Sequence, residues 1–449
     1  MTTTTGTRPP RSATASGTTT DATVTPLWSK IENPPLLWRP LASYYLLLAS
    51  TALLLGFGIV MVWSSSYVVS THVSFEVLQK QLLWLAIGLP LMLVATRLPA
   101  RAIRALAYPA MLGALVLLVA VLVPGLGVTQ NGATRWVNIG GPFTIQPSEF
   151  AKLGLVLWGA DLLARKQKYG TLDTFRRMLV PLMPVTLIVL ALIDKEHDLG
   201  TMLIILTIVL ALLWVIGAPM RLFAVVVSMV VAGVTYLAFS EPYRLRRLLE
   251  FTHACSKDLQ NAGWQACQAN YSLGSGGWWG VGLGSSREKW GYLPEAHSDF
   301  IFAIIGEELG LVGTLAVLLL FAVLAYGGIR VAQRSRDTFS RLAASAIVAW
   351  LLVQALVNIG AVVGLLPITG IPLPLMSAGG SALIPTMFAL GVLMSLARRE
   401  PSAAAALRAR GPNVARRGLR RVGSAMHPTA LFHLPKVLHL PKSARHGGR

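Results

Sequence analysis

Residues 43–65 read SYYLLLASTALLLGFGIVMVWSS, an uncharged apolar run long enough to cross a bilayer, which takes roughly 20 residues. Further runs follow near 78–96, 104–124, 148–165, 178–193, 199–217, 219–239, 299–328, 341–366 and 379–397, about ten in all. The chain has 449 residues and is 54% hydrophobic but only 13% charged, about half the charge of an ordinary soluble domain, so a soluble globular fold is excluded. This patterning predicts an all-α polytopic membrane protein of about ten transmembrane helices, with a large extracytoplasmic loop, 240–298, between helices 7 and 8.

The charges are lopsided, 39 Lys and Arg against 19 Asp and Glu, for a net +20. An even number of spans puts both termini on one side. Taking that side as the cytoplasm gathers about 29 of the 39 basic residues there, so the excess is topological and nucleic acid is not an expected partner. Two cysteines exclude a disulfide scaffold or a four-cysteine zinc site. Residues 1–40, rich in Thr, Ser and Pro, carry no apolar core of a cleavable signal.

The head, 1–42, and the tail, 398–449, read as disordered and cytoplasmic, flanking a membrane domain over 43–397. Arg408, Arg410, Arg416, Arg417, Arg420 and Arg421 precede a doubled His-Leu-Pro-Lys at His433–Lys436 and His439–Lys442. The tail is read either as a solvated basic segment touching anionic lipid or as a docking peptide for a cytoplasmic partner.

Three segments face outward: 125–147, 240–298 and 367–378, and function is sought there. The longest carries Trp264, Trp278, Trp279 and Trp290 among many glycines, which suits a folded cap or interfacial helices. It also holds Cys255 and Cys267, which form either a structural disulfide or two free thiols.

Ionisable groups at span ends are costly and tend to face a cavity or a partner. One cluster is Arg135-Trp136-Val137-Asn138 with Gln146-Pro147-Ser148-Glu149 and Lys152, where Glu149 and Lys152 share a helix face as an ion pair or as site residues. A second is Asp194 to Asp198 in a short outer turn, with Asp198 nearest the membrane; no second histidine stands at zinc-ligand spacing. A third joins Arg287, Lys289, Glu295, His297 and Asp299 to Glu307 and Glu308, after a Gly280–Gly284 stretch read as close backbone approach. Asp299 is either a helix-start acid or a base for a hydroxyl, with Arg287 and Lys289 holding phosphate. The fourth, Pro367–Pro374 with Ser377-Ala378-Gly379-Gly380-Ser381, marks a broken or re-entrant segment, or close helix packing.

In this order and spacing the clusters resemble the SEDS family, the shape, elongation, division and sporulation proteins. The carrying motifs are Arg135-Trp-Val-Asn, Gln146-Pro-Ser-Glu-Phe-Ala-Lys, Asp198-Leu-Gly-Thr, Gly282-Leu-Gly-Ser, Leu293-Pro-Glu-Ala-His-Ser-Asp-Phe-Ile-Phe, Gly306-Glu-Glu-Leu-Gly and Pro367-Ile-Thr-Gly-Ile-Pro-Leu-Pro. The resemblance implies a peptidoglycan glycosyltransferase that polymerises lipid II from undecaprenyl-diphosphate-linked chains on the outer membrane face. It further implies a class B penicillin-binding protein as partner and other division membrane proteins around it. Asp299 matches the family's essential acid and Trp136 its essential tryptophan, while Glu149, Lys152 and Asp198 match polar residues of its central cavity. The Ser64-Ser65-Ser66 end of the first span and the long extensions resemble the division-type branch in actinobacteria, working at the septum, with the tail as a contact for the cytoskeletal division ring. Two departures stand out: Glu196-His197 where the family usually has Gln-Pro, and Ala378 where it often has a larger residue.

On this reading Asp299 takes the proton of a sugar 4-hydroxyl that attacks an anomeric carbon, with inversion and loss of a polyprenyl diphosphate held by Arg135, Lys152, Arg287 and Lys289. A divalent cation, magnesium or manganese, is an optional aid with no legible ligand set. A lipid II flippase and a non-catalytic scaffold for the transpeptidase are the rival readings.

Overall fold

The computed structural model describes residues 35, 37, 39–66, 71–130, 133–140, 143–170, 175–240 and 262–409. Each predicted span coincides with a helix: α1 (Ala42–Ser66), α2 (Thr71–Ala95), α3 (Ala100–Val121), α4 (Pro147–Lys168), α6 (Leu182–Lys195), α7 (Leu199–Val215), α8 (Met220–Ser240), α10 (Ile301–Arg334), α11 (Thr338–Val362) and α12 (Leu383–Ala397). By length and composition 6 of the described helices can cross a membrane, α1 to α3 and α10 to α12, the last with the 3-10 turn that leads into it. Short helices α5 (Phe175–Leu179), α9 (Ala262–Gly276) and α13 (Pro401–Ala409) complete the set.

Helix α4 is the axis of the bundle. Pro147 opens it, Glu149 stands in its first turn and Arg165, Lys166 and Lys168 in its last, each sign at the end the helix dipole favours. Most of the helix is buried, because α3, α7 and α11 surround it. Small residues let the backbones approach. A Cβ on Gly154 would sit 3.1 Å from Met111 Cα, and one on Gly58 of α1 would sit 2.7 Å from Met376 Cα.

Two features depart from an all-helical expectation. The first outer segment forms an antiparallel sheet ordered β1-β2-β3, from β1 (Gly127–Gln130), β2 (Ala133–Gly140) and β3 (Phe143–Ile145), with Trp136 opposite Val128 and Asn138 opposite Thr144. Its strands are too short and polar to register as hydropathy, but their β-branched and aromatic residues favour pairing. The tail also differs, since its start forms α13. Alanine-rich sequence after Pro401 favours a helix, and Ala403 is buried. The remaining tail from 410, the head before Pro35, and 241–261 of the large loop lie outside the described residues.

Helix α10 breaks at Gly310, whose φ is 65°. Loop backbone fills the break. Val281 and Gly282 donate to the carbonyls of Glu307 and Glu308 at 2.9 and 3.0 Å, while Leu311 and Val312 donate to those of Gly277 and Trp278 at 2.9 and 3.3 Å. The glycine-rich stretch read as close backbone approach therefore replaces the hydrogen bonds a broken span would lose. After α11 the chain turns at Gly364 and runs without regular structure to Gly379, buried from Ile371 to Ser377 except at Pro372.

Candidate functional site

The irregular 367–381 segment is where the four sequence clusters meet. Helix α7 begins against it, since a Cβ on Gly200 would lie 3.1 Å from the Thr369 carbonyl and 2.6 Å from Ile371. Asp198 caps α7, accepting from Thr201 N at 3.0 Å and Thr201 Oγ1 at 2.8 Å, and Gln146 Nε2 reaches it at 3.2 Å. The Gln146 backbone N–H donates to Ser381 Oγ at 2.9 Å, so the start of α4, the start of α7 and the 3-10 turn Gly380–Ala382 are tied at one point.

One turn into α4, Lys152 and Glu149 form a fully buried ion pair at 2.7 Å. Lys152 also donates to Gln354 Oε1 at 2.9 Å and sits 5.4 Å from the Trp350 ring centroid. Gln354 in turn donates to the Pro372 carbonyl at 3.0 Å and accepts from Trp350 Nε1 at 2.8 Å. Glu149 Oε2 and Ser148 Oγ are buried without a hydrogen-bond partner among the described residues.

Arg135 on β2 reaches the 196–197 turn, donating to the Glu196 carbonyl at 3.3 Å and the His197 carbonyl at 2.6 Å. Trp136 is half-buried and pairs with Val128 beside a register shift that leaves Arg135 as the extra residue of the strand. His197 adopts φ 57°, a left-handed conformation that proline cannot enter, so the turn takes a shape the family's usual Gln-Pro does not allow. Glu196 is buried with neither carboxylate oxygen hydrogen-bonded among the described residues. Burial first, and the neighbouring Asp198 second, push its carboxyl up to about 9 against the opposing pull of Arg135.

Asp299 is half-buried in the turn before α10. Its main-chain carbonyl accepts from Asn358 Nδ2 at 2.8 Å, and a Cβ on Gly370 would lie 3.5 Å from its Oδ2. Close by, Ala378 N donates to the His297 carbonyl at 3.0 Å. Burial lowers the His297 imidazole against the raising effect of Glu295, which keeps it mainly neutral near pH 7.

Other predicted site residues stand elsewhere or hold local structure. Lys289 is turned inward, paired with Glu308 at 3.2 Å and donating to the Gly284 carbonyl at 2.8 Å, because Glu308 needs a buried counter-charge; it is not presented for phosphate binding. Ser64 Oγ joins it, 2.5 Å from Glu308 Oε2. Arg287 is exposed, with its guanidinium unpaired among the described residues. Asn138 is exposed and accepts from Gly140 N at 2.8 Å, and Glu295 accepts from Ser298 Oγ at 2.6 Å. Ser377 Oγ accepts from Leu373 N at 2.8 Å and so shapes the irregular segment. Cys267 is disulfide-bonded; Cys255 lies outside the described residues. No group of three or more His, Cys, Asp or Glu among the described residues is placed to hold a metal ion.

Sequence reading missed Gln354 and Asn358. Both lie on α11, an apolar span, and their signal is the i,i+4 spacing that stacks Trp350, Gln354 and Asn358 on one face.

The FtsW/RodA/SpoVE model, described as a cell cycle protein, matches residues 45–402. The probable peptidoglycan glycosyltransferase FtsW of Mycobacterium tuberculosis is 43% identical over 376 residues, 83% of this chain and 71% of the relative. Stage V sporulation protein E of Bacillus subtilis is 38% identical over 79% of this chain and 96% of its own length. Among solved structures, a chain from a study of polymerization and crosslinking by a peptidoglycan synthase complex superposes with a TM-score of 0.63 at 29% identity, covering 79% of this chain and 97% of that one. The rod shape determining protein RodA of Thermus thermophilus gives 0.58 at 28%, with coverage of 79% and 96%. Motifs and helix order agree with these likenesses: the chain is a multi-pass membrane protein of the FtsW/RodA/SpoVE family, the SEDS proteins, on its FtsW branch.

Proposed function

We propose that the chain is a peptidoglycan glycosyltransferase that polymerises lipid II on the outer face of the cytoplasmic membrane during septal wall synthesis. The observation that carries this is Asp299 set against the Gly370 turn, at the junction of all four polar clusters. The names of the FtsW relatives support the activity.

Asp299 takes the proton from the 4-hydroxyl of the incoming sugar as that oxygen attacks the anomeric carbon of the growing chain. The bond to the polyprenyl diphosphate breaks on the opposite side, so an α-linked donor becomes a β-linked glycan. Arg287 meets the charge on the leaving diphosphate, because of the four candidate cations it alone is both exposed and unpaired among the described residues. Arg135 instead orders the 196–198 turn, and Lys152 braces α4 against α11.

A class B penicillin-binding protein crosslinks the product, a partnership supported by the likeness to a chain of a peptidoglycan synthase complex. Both termini face the cytoplasm, the basic tail contacts the cytoskeletal division ring, and Cys255 pairs with Cys267. Against a flippase stands the depth of the ionisable groups: α4 carries none between Lys152 and Asp161.

Proteoliposomes holding the full chain and its transpeptidase, supplied with fluorescent lipid II outside and a muramidase control, test this. A muramidase-sensitive polymer ladder is the expected product. Lipid II equilibrating across the membrane without any polymer would instead favour transport.

A further inference from the structure

Asn358 is 3% exposed on α11, one turn beyond Gln354. Its Nδ2 lies 2.8 Å from the Asp299 main-chain carbonyl and 2.8 Å from that of Ile371. Both partners are acceptors, so the nitrogen must face them and both of its protons are used. Oδ1 is left without a hydrogen-bond partner among the described residues. A half-satisfied amide in an apolar span is costly, and packing alone would favour leucine there.

The two carbonyls belong to the segments that have to be brought together. Ile371 follows Gly370, whose φ of 70° turns the backbone so that its Cα faces Asp299, with a Cβ position only 3.5 Å from Oδ2. Asp299 sits just before α10, whose N-cap residue is Phe300. One amide therefore pins the main chain of the acid to the turn that lies against its carboxylate.

We infer that Asn358 is a positioning residue for Asp299, setting the height of the carboxylate above the Gly370 turn. This rests on the reading of Asp299 as the base. A base that must meet a sugar hydroxyl within hydrogen-bond reach tolerates little displacement. Asn358 touches no reacting atom; it acts through the backbone of Asp299.

The test uses the full chain with its transpeptidase and fluorescent lipid II, with initial rates measured between about pH 5 and 9. Asn358→Asp is nearly isosteric but, buried and mainly protonated, offers one proton where the amide offers two, and on ionising at the alkaline end of the range it offers none. The expected result is a kcat lower by about 100-fold with KM within about threefold, as for a misplaced catalytic group. Its rate falls further toward the alkaline end of the range, where the introduced carboxyl ionises and the last donor to the two carbonyls is lost. Asn358→Ser keeps one short donor and is expected to lose about tenfold in kcat with the acid limb in place. A kcat within about threefold of wild type across the whole pH range for Asn358→Asp would overturn the proposal. If that variant does not purify as a folded complex, Asn358→Ser decides: a raised KM with unchanged kcat, or no loss at all, overturns it. Asp299→Asn separates the two readings. If it keeps full activity, the base assignment fails first; if it is inactive while both Asn358 variants behave as wild type, only the positioning role fails.

Discussion

Among the described residues outside the spans, Glu196 stands out for its ionisation. Its folded pKa of about 9 lies above the ordinary value of 4.5, so it contributes stability below about pH 4.5 that is lost as pH rises toward 9. Glu196→Gln should remove that slope and raise stability at pH 8 by roughly 1–3 kcal/mol, the range for relieving a buried unsatisfied group. Thermal unfolding in detergent from pH 5 to about 9 checks it; a variant whose Tm still falls with pH in parallel with wild type would refute this assignment. Lys152 gives a prediction of the other sign. Removing it as Lys152→Met strands Glu149 and should cost about 3–5 kcal/mol, while the double variant Glu149→Gln/Lys152→Met should recover more than half of that. Equal destabilisation of single and double variants would contradict a mutual pairing. These acids and bases were legible in sequence because ionisable residues at span ends are rare. Gln354 and Asn358 were not, since an amide in an apolar helix looks like tolerated polarity until its partners are seen.

At the level of elements, hydropathy locates the helices and misses whatever is short or irregular. The β1-β2-β3 sheet is invisible to it, as is the break in α10, because Gly-Leu within a long apolar run reads as a continuous span. What the sequence does show is the glycine-rich partner of that break, without its destination. Only the fold brings Gly280 to Glu308, where a side chain would fall on the carbonyl and φ is 77°. Gly280→Ala is therefore expected to cost at least about 2 kcal/mol, from left-handed strain plus displacement of the loop. It should also raise protease sensitivity between Gly276 and Trp290 in limited proteolysis, and a variant as resistant as wild type would count against the stitched loop. The departure at Glu196-His197 has a similar lesson: the residues were visible, but the left-handed turn they permit emerges only with φ.

Across the whole molecule, charge divides the bundle into two ends. Asp161, buried on α4, binds Arg104 at 2.7 Å and Arg165 at 2.6 Å, and Arg398 reaches the Thr96 carbonyl at 3.2 Å at that same end. Arg135, Asp198 and Asp299 lie at the other. With the basic end inside, Thr129→Cys should react with a membrane-impermeant maleimide on intact cells, and Tyr169→Cys only after permeabilisation; the reverse pattern would invert the orientation. The number of spans, their order and this asymmetry follow from apolar length and basic loops alone. Convergence of the four clusters does not, because it depends on the irregular 367–381 segment, which carries no periodicity.

Glycan polymerisation from purified lipid II, comparing Asp299→Ala with the wild-type chain in complex with its transpeptidase, addresses the central claim most directly. Loss of polymer in the variant by at least about 100-fold, with the complex intact and Tm unchanged, is the expected result. Polymer at the wild-type rate from Asp299→Ala would contradict it and remove Asp299 as the base.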